Sequence, residues 1–300
     1  MSWRIVAIKS KAKLDYKMDY LVVRTEEKVS RVHISEIAIL LIESTAVSLT
    51  SYLLAELSKK KVKVIFCDEK SSPITELCNL YGSYDTSRKI KSQILWSDET
   101  KKLVWAEIVR AKIKGQLSNL KDENYEEIQL LKSYLEEITP GDKTNREGHA
   151  AKVYFNALFG KSFSRSDDSC INSALNYGYS IILSAFNREI VNCGYLTQLG
   201  IFHSNTFNSF NLSCDFMEQF RPYVDRRILS MHLEKFEHEE KMQILDILNQ
   251  IVSINEQKHH LLNAIHIYTL SVIEALEEND ISKIKNPNYE LYIYENNTVF

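Results

Sequence analysis

The hydrophobic pattern of this chain changes near residue 85. Before that point, short apolar runs and alternating apolar and polar residues are typical of β-strands. After it, apolar residues recur with the three- and four-residue spacing of amphipathic helices along most of the chain. A chain of 300 residues is also longer than a single core usually supports. We therefore predict an α+β multidomain protein, with a small β-rich N-terminal domain over residues 1–85 and a larger all-α domain over residues 86–300.

The individual elements follow from the same periodicities. In the first region the pattern predicts a helix over Leu49–Lys60 and strands over Arg4–Ile8, Tyr20–Arg24, Lys28–Ile34, Ile37–Ile42 and Val62–Phe66. In the second region it predicts helices over Ile90–Leu117, Tyr125–Glu137, Asn145–Phe159 and Ser169–Val191, with several more from Leu212 to Glu278. The acidic, Tyr-rich segment from Asn286 onward is predicted to be irregular.

Cysteine usage and hydropathy exclude several classes of protein. The five cysteines are dispersed and form no Cys-x-x-Cys pair, which argues against a disulfide framework and against a zinc knuckle. No apolar run approaches the roughly 18 residues of a membrane span, and the first residues lack the layout of a signal peptide. We expect a protein of the reducing cytoplasm without a membrane partner.

Charge is distributed unevenly along the chain. Residues 1–165 contain 28 Lys and Arg against 22 Asp and Glu, a net charge of +6, whereas residues 166–300 contain 9 against 18, a net charge of −9. A basic surface in the first half would suit a nucleic-acid partner. An uneven scatter of solvated charged faces explains the same numbers, and charge alone favours that simpler interpretation.

One segment carries residues of the types that bind metal ions. His203 lies in an Asn-rich turn, and Asp215 and Glu218 follow where a helix is predicted to begin. Residues three apart on a helix share a face, so the two carboxylates can converge on one point. A neutral imidazole from the preceding loop can then complete a mixed nitrogen and oxygen site for a divalent cation.

Glu147 is a further candidate ligand. Thr144 or Asn145 is a good N-cap residue, which would place Glu147 in the first turn of a helix, where the helix dipole favours its charge. The same placement is also the simpler explanation, because a first-turn Glu usually serves helix electrostatics alone.

Four segments, taken together and in order, resemble a known family. They are Asn145-Arg-Glu-Gly-His-Ala-Ala151, Asp168-x3-Asn172-x-Ala-Leu-Asn176-Tyr-Gly-Tyr179, Gly200-Ile-Phe-His203 and Cys214-Asp-Phe-Met-Glu218-x-Phe-Arg221-Pro222. The chain resembles the CRISPR adaptation integrase family, the universal CRISPR-associated endonuclease, in its type II form. The resemblance extends to the order of a β-rich domain before a helical catalytic one. The chain departs from the family at Gln219, where members often have Pro.

The resemblance implies a set of site residues. The metal-binding and catalytic triad would be Glu147, His203 and Glu218, with Asp215 supporting or ligating. Two asparagines, Asn172 and Asn176, would border the catalytic cleft. The candidate DNA contacts are Arg146 and Arg221.

The implied reaction is metal-dependent joining or cleavage of DNA. In transesterification of a phosphodiester, metal ions promote the attacking 3′-hydroxyl and stabilise charge at phosphorus. Because that hydroxyl belongs to the DNA, the protein needs no nucleophile of its own. A histidine among carboxylates makes Mn²⁺ a suitable guest, and Mg²⁺ is able to serve as well.

The resemblance also implies partners. It implies a homodimer, which binds double-stranded DNA as prespacer and as the leader-repeat of a CRISPR array. A small ferredoxin-like protein, the second CRISPR-associated protein, would join two such dimers. In the type II form, the effector nuclease and a ring-forming DNA-end-binding protein are further implied partners.

Two alternative functions stay open at the level of sequence. The first keeps the metal site but makes the reaction a structure-selective nuclease activity on branched DNA. The second is a non-catalytic scaffold that binds DNA and recruits partners, with a purely structural acidic cluster.

Two further interpretations concern single residues near the site. Pro222 disfavours helical geometry at the residue before it, so Arg221 is predicted to sit at a helix break beyond Glu218. Its guanidinium could grip a phosphate or form an intramolecular ion pair, and the residues alone favour neither. Tyr179, one of several aromatic residues at helical spacing, is interpreted as a core residue rather than as a base-stacking platform.

Overall fold

The computed structural model describes residues 4–77, 79 and 83–293. The chain forms two compact units. The first comprises Met1–Thr86 together with Val191–Gly194, and the second comprises Ser87–Ile190 and Tyr195–Phe300.

The first unit contains two four-stranded sheets and one helix. The elements are β1 (Arg4–Ile8), β2 (Ala12–Lys17), β3 (Tyr20–Arg24), β4 (Val29–His33), β5 (Ile37–Ile42), β6 (Val47–Leu49), α1 (Ser51–Lys59), β7 (Lys63–Cys67) and β8 (Pro73–Leu77). One sheet has the order β1-β5-β7-β8, with β1, β5 and β7 parallel and β8 antiparallel. The other has the order β4-β3-β2-β6.

The buried positions explain these sheets. All six residues of β5 are buried, as expected for the apolar run of a central parallel strand. Leu14 of β2 and Leu21 of β3 are fully buried, and in β2 the charged residues Lys13 and Asp15 flank Leu14. A two-residue turn with positive φ at Met18 and Asp19 joins these strands, as tight antiparallel hairpins require.

The second unit is built mainly of helices. The helices are α2 (Thr86–Ile94), α3 (Asp98–Leu117), α4 (Tyr125–Glu137), α5 (Arg146–Phe159), α6 (Cys170–Asn192), α7 (Asn211–Met217), α8 (Arg221–Met231), α9 (His238–Leu245) and α10 (Leu261–Glu278). The long helix α3 is buried on several sides and packs against α5, α7, α8 and α10. Within the described residues, no helix is long and apolar enough to cross a membrane.

A small antiparallel sheet lies among these helices. Its order is β10-β9-β11, with β9 (Ile251–Ile254), β10 (Gln257–His260) and β11 (Pro287–Ile293). The α+β class and the order of a β-rich region before a helical one are confirmed. The sheet corrects two details, the all-α expectation for this region and the irregular segment from Asn286. β9 and β10 have four residues each, too few for periodicity to distinguish strand from helix, whereas the seven residues of β11 lie in the segment predicted to be irregular.

Candidate metal centre

Lys112 lies at the centre of the candidate site. It occupies a buried position of α3, one and two turns beyond Ile108 and Val104, and its side chain is only 7% exposed. Its ammonium group forms ion pairs with Glu147 of α5 and with Glu218, at 2.5 Å from Glu218 Oε2. Burial opposes the positive charge, yet the two carboxylates hold the pKa of Lys112 above its ordinary value. One buried cation therefore joins two carboxylates from separate segments.

Glu147 is placed by the cap at the start of α5. Asn145 is the N-cap residue, with φ of 52°, and its side chain accepts a hydrogen bond from Gly148 N. The buried carboxylate of Asp142 accepts hydrogen bonds from the backbone N–H groups of Arg146 and Glu147, both at 2.9 Å. The predicted start of this helix is confirmed, and Glu147 lies in its first turn, where the helix dipole favours a carboxylate.

Glu218 begins a 3-10 turn that joins α7 to α8. Its side chain is 6% exposed, and its Oε1 lies 2.9 Å from Arg221 Nη2. Burial opposes its charge, but the Arg221 guanidinium and the Lys112 ammonium outweigh this effect, so the pKa of Glu218 lies below its ordinary value. The turn is braced from β11, because the Tyr289 hydroxyl donates to the Gln219 carbonyl oxygen at 2.6 Å.

Asp215 fixes the loop that carries His203. Its fully buried carboxylate accepts hydrogen bonds from the backbone N–H groups of Ile201 at 2.7 Å, Phe202 at 3.1 Å and His203 at 3.0 Å. It also lies 2.6 Å from His203 Nδ1. Because an ionised carboxylate only accepts, Nδ1 carries the proton, and Nε2 of the neutral imidazole keeps its lone pair. The bond to Asp215 is the main cause that raises the pKa of His203, and the nearby charge of Glu218 adds to it.

The loop passes close to Asp215 and is walled by an aromatic pair. Trp105 of α3 stacks on Phe202, with ring centroids 4.1 Å apart, and meets the His203 imidazole edge-on at 5.7 Å. Gly200 makes the close passage possible, since an added Cβ would overlap the His203 carbonyl oxygen and lie 2.8 Å from Asp215 Oδ2. The imidazole is thereby held by packing as well as by hydrogen bonds.

The chemistry of these residues fits a divalent cation. Glu147 and Glu218 supply two carboxylates that already converge on one cationic group, and His203 offers an imidazole nitrogen within electrostatic range of Glu218. Among the described residues, no group of three or more His, Cys, Asp or Glu side chains is spaced to hold a metal ion. The Lys112 ammonium occupies the position between the Glu147 and Glu218 carboxylates. The assignment of Glu147, His203 and Glu218 as ligands stays a prediction.

The backbone of Arg221 differs from the prediction, but its side chain lies beside Glu218 as expected. It has helical geometry, with φ of −55° and ψ of −40°, and begins α8, so the predicted helix break is wrong at this residue. Proline is tolerated in a first helical turn, because its missing N–H has no intrahelical partner there. The guanidinium pairs with Glu218 and lies 4.6 Å from the ring centroid of Tyr179, which is buried as interpreted. The ion-pair interpretation is confirmed, and a DNA contact stays a prediction.

Arg146, the other candidate DNA contact, connects α4 and α5. Its Nη2 lies 2.5 Å from Glu137 Oε2, and its guanidinium lies 5.1 Å from the ring centroid of Tyr134. These contacts assign it a structural role, and its proposed contact with DNA stays a prediction.

The two predicted cleft residues contact an arginine that the sequence patterns did not single out. Asn172 is buried and accepts a hydrogen bond from Arg165, while Asn176 Oδ1 accepts one from Arg165 Nη2 at 2.7 Å. The Asn172 amide also donates to the backbone carbonyl oxygens of Ser164 and Asp167. Both asparagines therefore organise the loop that precedes α6.

Lys112 and Asp142 are the functional positions that sequence reasoning missed. Lys112 follows Ile108 by four residues, as Ile108 follows Val104, so it lies on the same buried face of α3. A charged residue on that apolar face was the sequence signal that could have identified Lys112. Asp142 carried no such signal, because its role as a cap depends on a loop geometry that includes positive φ at Asp142 and Asn145.

A second buried carboxylate lies behind the Arg221 side chain. Asp225 of α8 is 2% exposed and accepts hydrogen bonds from Tyr179 at 2.5 Å and from Tyr154 at 3.1 Å. Burial raises the pKa of Asp225 from 3.8 to about 6, although both hydroxyls act against this shift. The network fixes the Tyr179 ring beneath Arg221.

Known proteins are similar to this chain over most of its length. Residues 5–246 match the family model described as CRISPR associated protein Cas1. The CRISPR-associated endonuclease Cas1 of Neisseria meningitidis serogroup C (strain 8013) is 31% identical over 295 residues, which cover 96% of each chain.

Two solved structures share the fold. A casposase bound to integration product superimposes with a TM-score of 0.74 at 17% identity, over 94% of this chain and 92% of that one. A Cas6-RT-Cas1–Cas2 complex gives a TM-score of 0.73 at 15% identity, over 94% of this chain and 36% of the matched chain. At these identities the likeness concerns the fold alone.

The fold and the site define a two-unit α+β protein whose helical unit carries a partly buried centre of carboxylates and histidine. The extent of the sequence match is decisive for the family. The chain belongs to the Cas1 family of CRISPR-associated proteins, as its sequence motifs indicated.

Replacing Lys112 tests its place between the carboxylates. Lys112→Met removes the cation shared by the buried Glu218 and the half-buried Glu147, so we expect a loss of about 3 kcal/mol in the free energy of unfolding without divalent cations. We expect added Mn²⁺ to raise the Tm of Lys112→Met more than that of the parent, because the cationic position is then open.

Lys114→Met is the matched control, because Lys114 is exposed on the same helix. We expect it to change the free energy of unfolding by less than about 0.5 kcal/mol. Equal stability of the two variants, or equal Mn²⁺ shifts, would contradict the assigned role of Lys112.

Asp225 gives a pH dependence of defined sign. Its folded pKa of about 6 exceeds 3.8, so folding favours the protonated form and stability rises as pH falls from 7 to 5. Relative to Asp225→Asn, the parent should gain about 1 kcal/mol between pH 7 and pH 5, measured by denaturant unfolding. The exposed Asp122→Asn variant should show no such difference, and a pH-independent gap between the parent and Asp225→Asn would refute the shift.

Proposed function

We propose that this chain is a metal-dependent DNA integrase and endonuclease of CRISPR adaptation. In this role it inserts short foreign DNA, the prespacer, into a CRISPR array by attack of 3′-hydroxyl groups on phosphodiesters at the repeat boundaries. The observation that carries the proposal is the convergence of Glu147 and Glu218 on one buried cationic position, within electrostatic range of His203. Membership of the Cas1 family supports it, and the relative from Neisseria meningitidis is named an endonuclease.

Glu147, Glu218 and His203 are the residues that would hold Mg²⁺ or Mn²⁺. Such an ion, when bound, stabilises negative charge on phosphate oxygens and promotes a hydroxyl nucleophile. The attacking hydroxyl belongs to the DNA, which explains why the site needs no serine or cysteine nucleophile.

The surrounding residues position these groups. Asp215 holds the Nδ1–H of His203, so that Nε2 is the nitrogen available to a ligand. Four N–H groups already donate hydrogen bonds to the Asp215 carboxylate, which supports a positioning role for Asp215 rather than metal ligation. Arg221 lies against Glu218, where a guanidinium can offset charge on a phosphate.

The proposed partners follow from the family and from the structural neighbours. One neighbour is a casposase bound to integration product, and another is a complex that includes Cas1 and Cas2. We propose that this chain acts in the cytoplasm as a homodimer with double-stranded DNA and a small Cas2-type protein. As a type II form, it would work with the effector nuclease and a ring-forming DNA-end-binding protein.

A nuclease acting on branched DNA is the second candidate. The endonuclease names of the relatives favour it, and the same residues would serve both reactions because each uses one activated oxygen and one phosphodiester. A non-catalytic scaffold is the contrasting case, in which the acidic cluster is only structural.

Ligand variants separate chemistry from DNA binding. Glu218→Gln and His203→Ala remove candidate metal ligands but no Lys or Arg side chain, so we expect DNA binding within about twofold of the parent. Loss of an outer residue of a metal site typically costs 10- to 100-fold in activity, so joining should fall by about 100-fold or more in these ligand variants. Joining is measured with a labelled duplex and a supercoiled target in the presence of the Cas2-type partner.

Glu239→Gln is the matched control, since Glu239 is an exposed carboxylate on α9. Its joining rate should equal that of the parent. Full joining by Glu218→Gln would refute the catalytic role of the centre and favour the scaffold, whereas cleavage of branched DNA without joining would favour the nuclease.

A further inference from the structure

Arg165 lies in the loop between α5 and α6 and is held by neutral groups. Its two terminal nitrogens donate to the amide oxygens of Asn172 and Asn176, the latter at 2.7 Å. Its guanidinium also lies 5.8 Å from the ring centroid of Phe155 and 5.5 Å from that of Tyr179. The side chain is therefore oriented from several sides.

The charge of Arg165 is left uncompensated by these contacts. Among the described residues, no carboxylate lies within ion-pair distance of it, and the neighbouring Asp167 carboxylate accepts from Ser164 N at 3.1 Å. By contrast, Arg146 and Arg221 each pair with a glutamate. An amide oxygen orients a guanidinium without cancelling its charge, whereas a carboxylate would both cancel the charge and compete with an incoming anion.

The Tyr179 ring connects this arginine to the metal centre. Arg165 and Arg221 both lie over that ring, and both charges lower the pKa of the Tyr179 hydroxyl, against the larger effects of burial and Asp225. The hydroxyl is fixed by Asp225 at 2.5 Å. A guanidinium with unneutralised charge is thus anchored next to the arginine that pairs with Glu218.

We propose that Arg165 binds a backbone phosphate of the DNA strand beside the metal centre, and that Asn172 and Asn176 are positioning residues for it. The planar guanidinium keeps N–H groups beyond those used by the asparagines, and it matches the geometry of a phosphodiester. This proposal rests on the proposed function, because that function identifies the bound anion as a phosphate of DNA. It assigns the asparagines to Arg165 rather than to direct contact with the substrate.

The test measures DNA binding without metal. A fluorescent duplex is titrated in EDTA between roughly 50 and 200 mM salt, and the slope of log affinity against log salt is compared between variants. For Arg165→Gln we expect affinity to fall about fivefold to tenfold, equally for two duplexes of unrelated sequence, and the slope to decrease by about 1.

Arg227→Gln is the matched control. Arg227 donates to the backbone and side-chain oxygens of Gln243, and its substitution removes the same formal charge from α8. We expect parent-like affinity and slope. Equal losses in the two arginine variants would mean a diffuse charge effect and would overturn the assignment of Arg165.

Asn176→Asp tests the positioning role without removing the arginine. The new carboxylate should pair with Arg165 and weaken DNA binding about as much as Arg165→Gln does. In the Arg165→Gln background the same change should add little, because the two substitutions act on one contact. Additive losses would show that Asn176 acts independently of Arg165 and would overturn the positioning role.

The outcomes also separate this proposal from the proposed function. If the parent joins DNA but Arg165→Gln binds it like the parent, the Arg165 site is wrong while the function stands. If the parent binds DNA with the expected dependence on Arg165 but joins none, the function is wrong while the phosphate site stands. A parent without duplex binding overturns both.

Discussion

The ion pairs of Lys112 with Glu147 and Glu218 are the interaction on which the helical unit depends. The partners are 35 and 106 residues from Lys112 in sequence, so the contact ties α3, α5 and the α7–α8 turn together. Buried carboxylates cost several kcal/mol each unless a cation compensates them. Here Glu218 is buried and Glu147 is half-buried, and their two charges favour a cation between them. The ammonium of Lys112 satisfies that site within the chain, and a divalent ion would satisfy it with more charge.

The other polar residues of the site can be understood as supports for this centre. Asp142 holds the backbone of Glu147, Asp215 holds the loop and tautomer of His203, and Asp225 holds the ring beneath Arg221. Each carboxylate is buried and receives at least two hydrogen bonds, which is how charged groups persist inside a protein. At the edge of this centre, Arg165 is held by two amide oxygens and two aromatic rings, with no carboxylate partner among the described residues. The arrangement concentrates negative charge where a cation belongs and leaves positive charge beside it, which suits a phosphodiester substrate.

Sequence patterns predicted the parts of this site that are local and missed those that depend on folding. The cap at Asn145 is a short-range signal and appears in the structure. The i,i+3 spacing predicted that the carboxylates of Asp215 and Glu218 converge, but Asp215 binds the loop at 201–203 whereas Glu218 pairs with Lys112 and Arg221. Lys112 could not be assigned, because its partners lie on distant segments. Arg221 keeps helical geometry despite Pro222, because it begins α8 and proline is tolerated in a first helical turn. In the fold, β2 was missed because its alternating charged residues lower its apolar content, and β9 and β10 because each has only four residues.

Under the proposed function, this carboxylate and histidine centre joins DNA only with a divalent cation. The most direct measurement is the joining of a labelled prespacer duplex to a supercoiled plasmid bearing leader and repeat, with the Cas2-type partner, in Mn²⁺ or Mg²⁺ and then in excess EDTA. The proposed function predicts half-site and full-site products with either ion, no products in EDTA, and recovery of joining when Mn²⁺ is added in excess of the chelator. Undiminished joining in EDTA would contradict it.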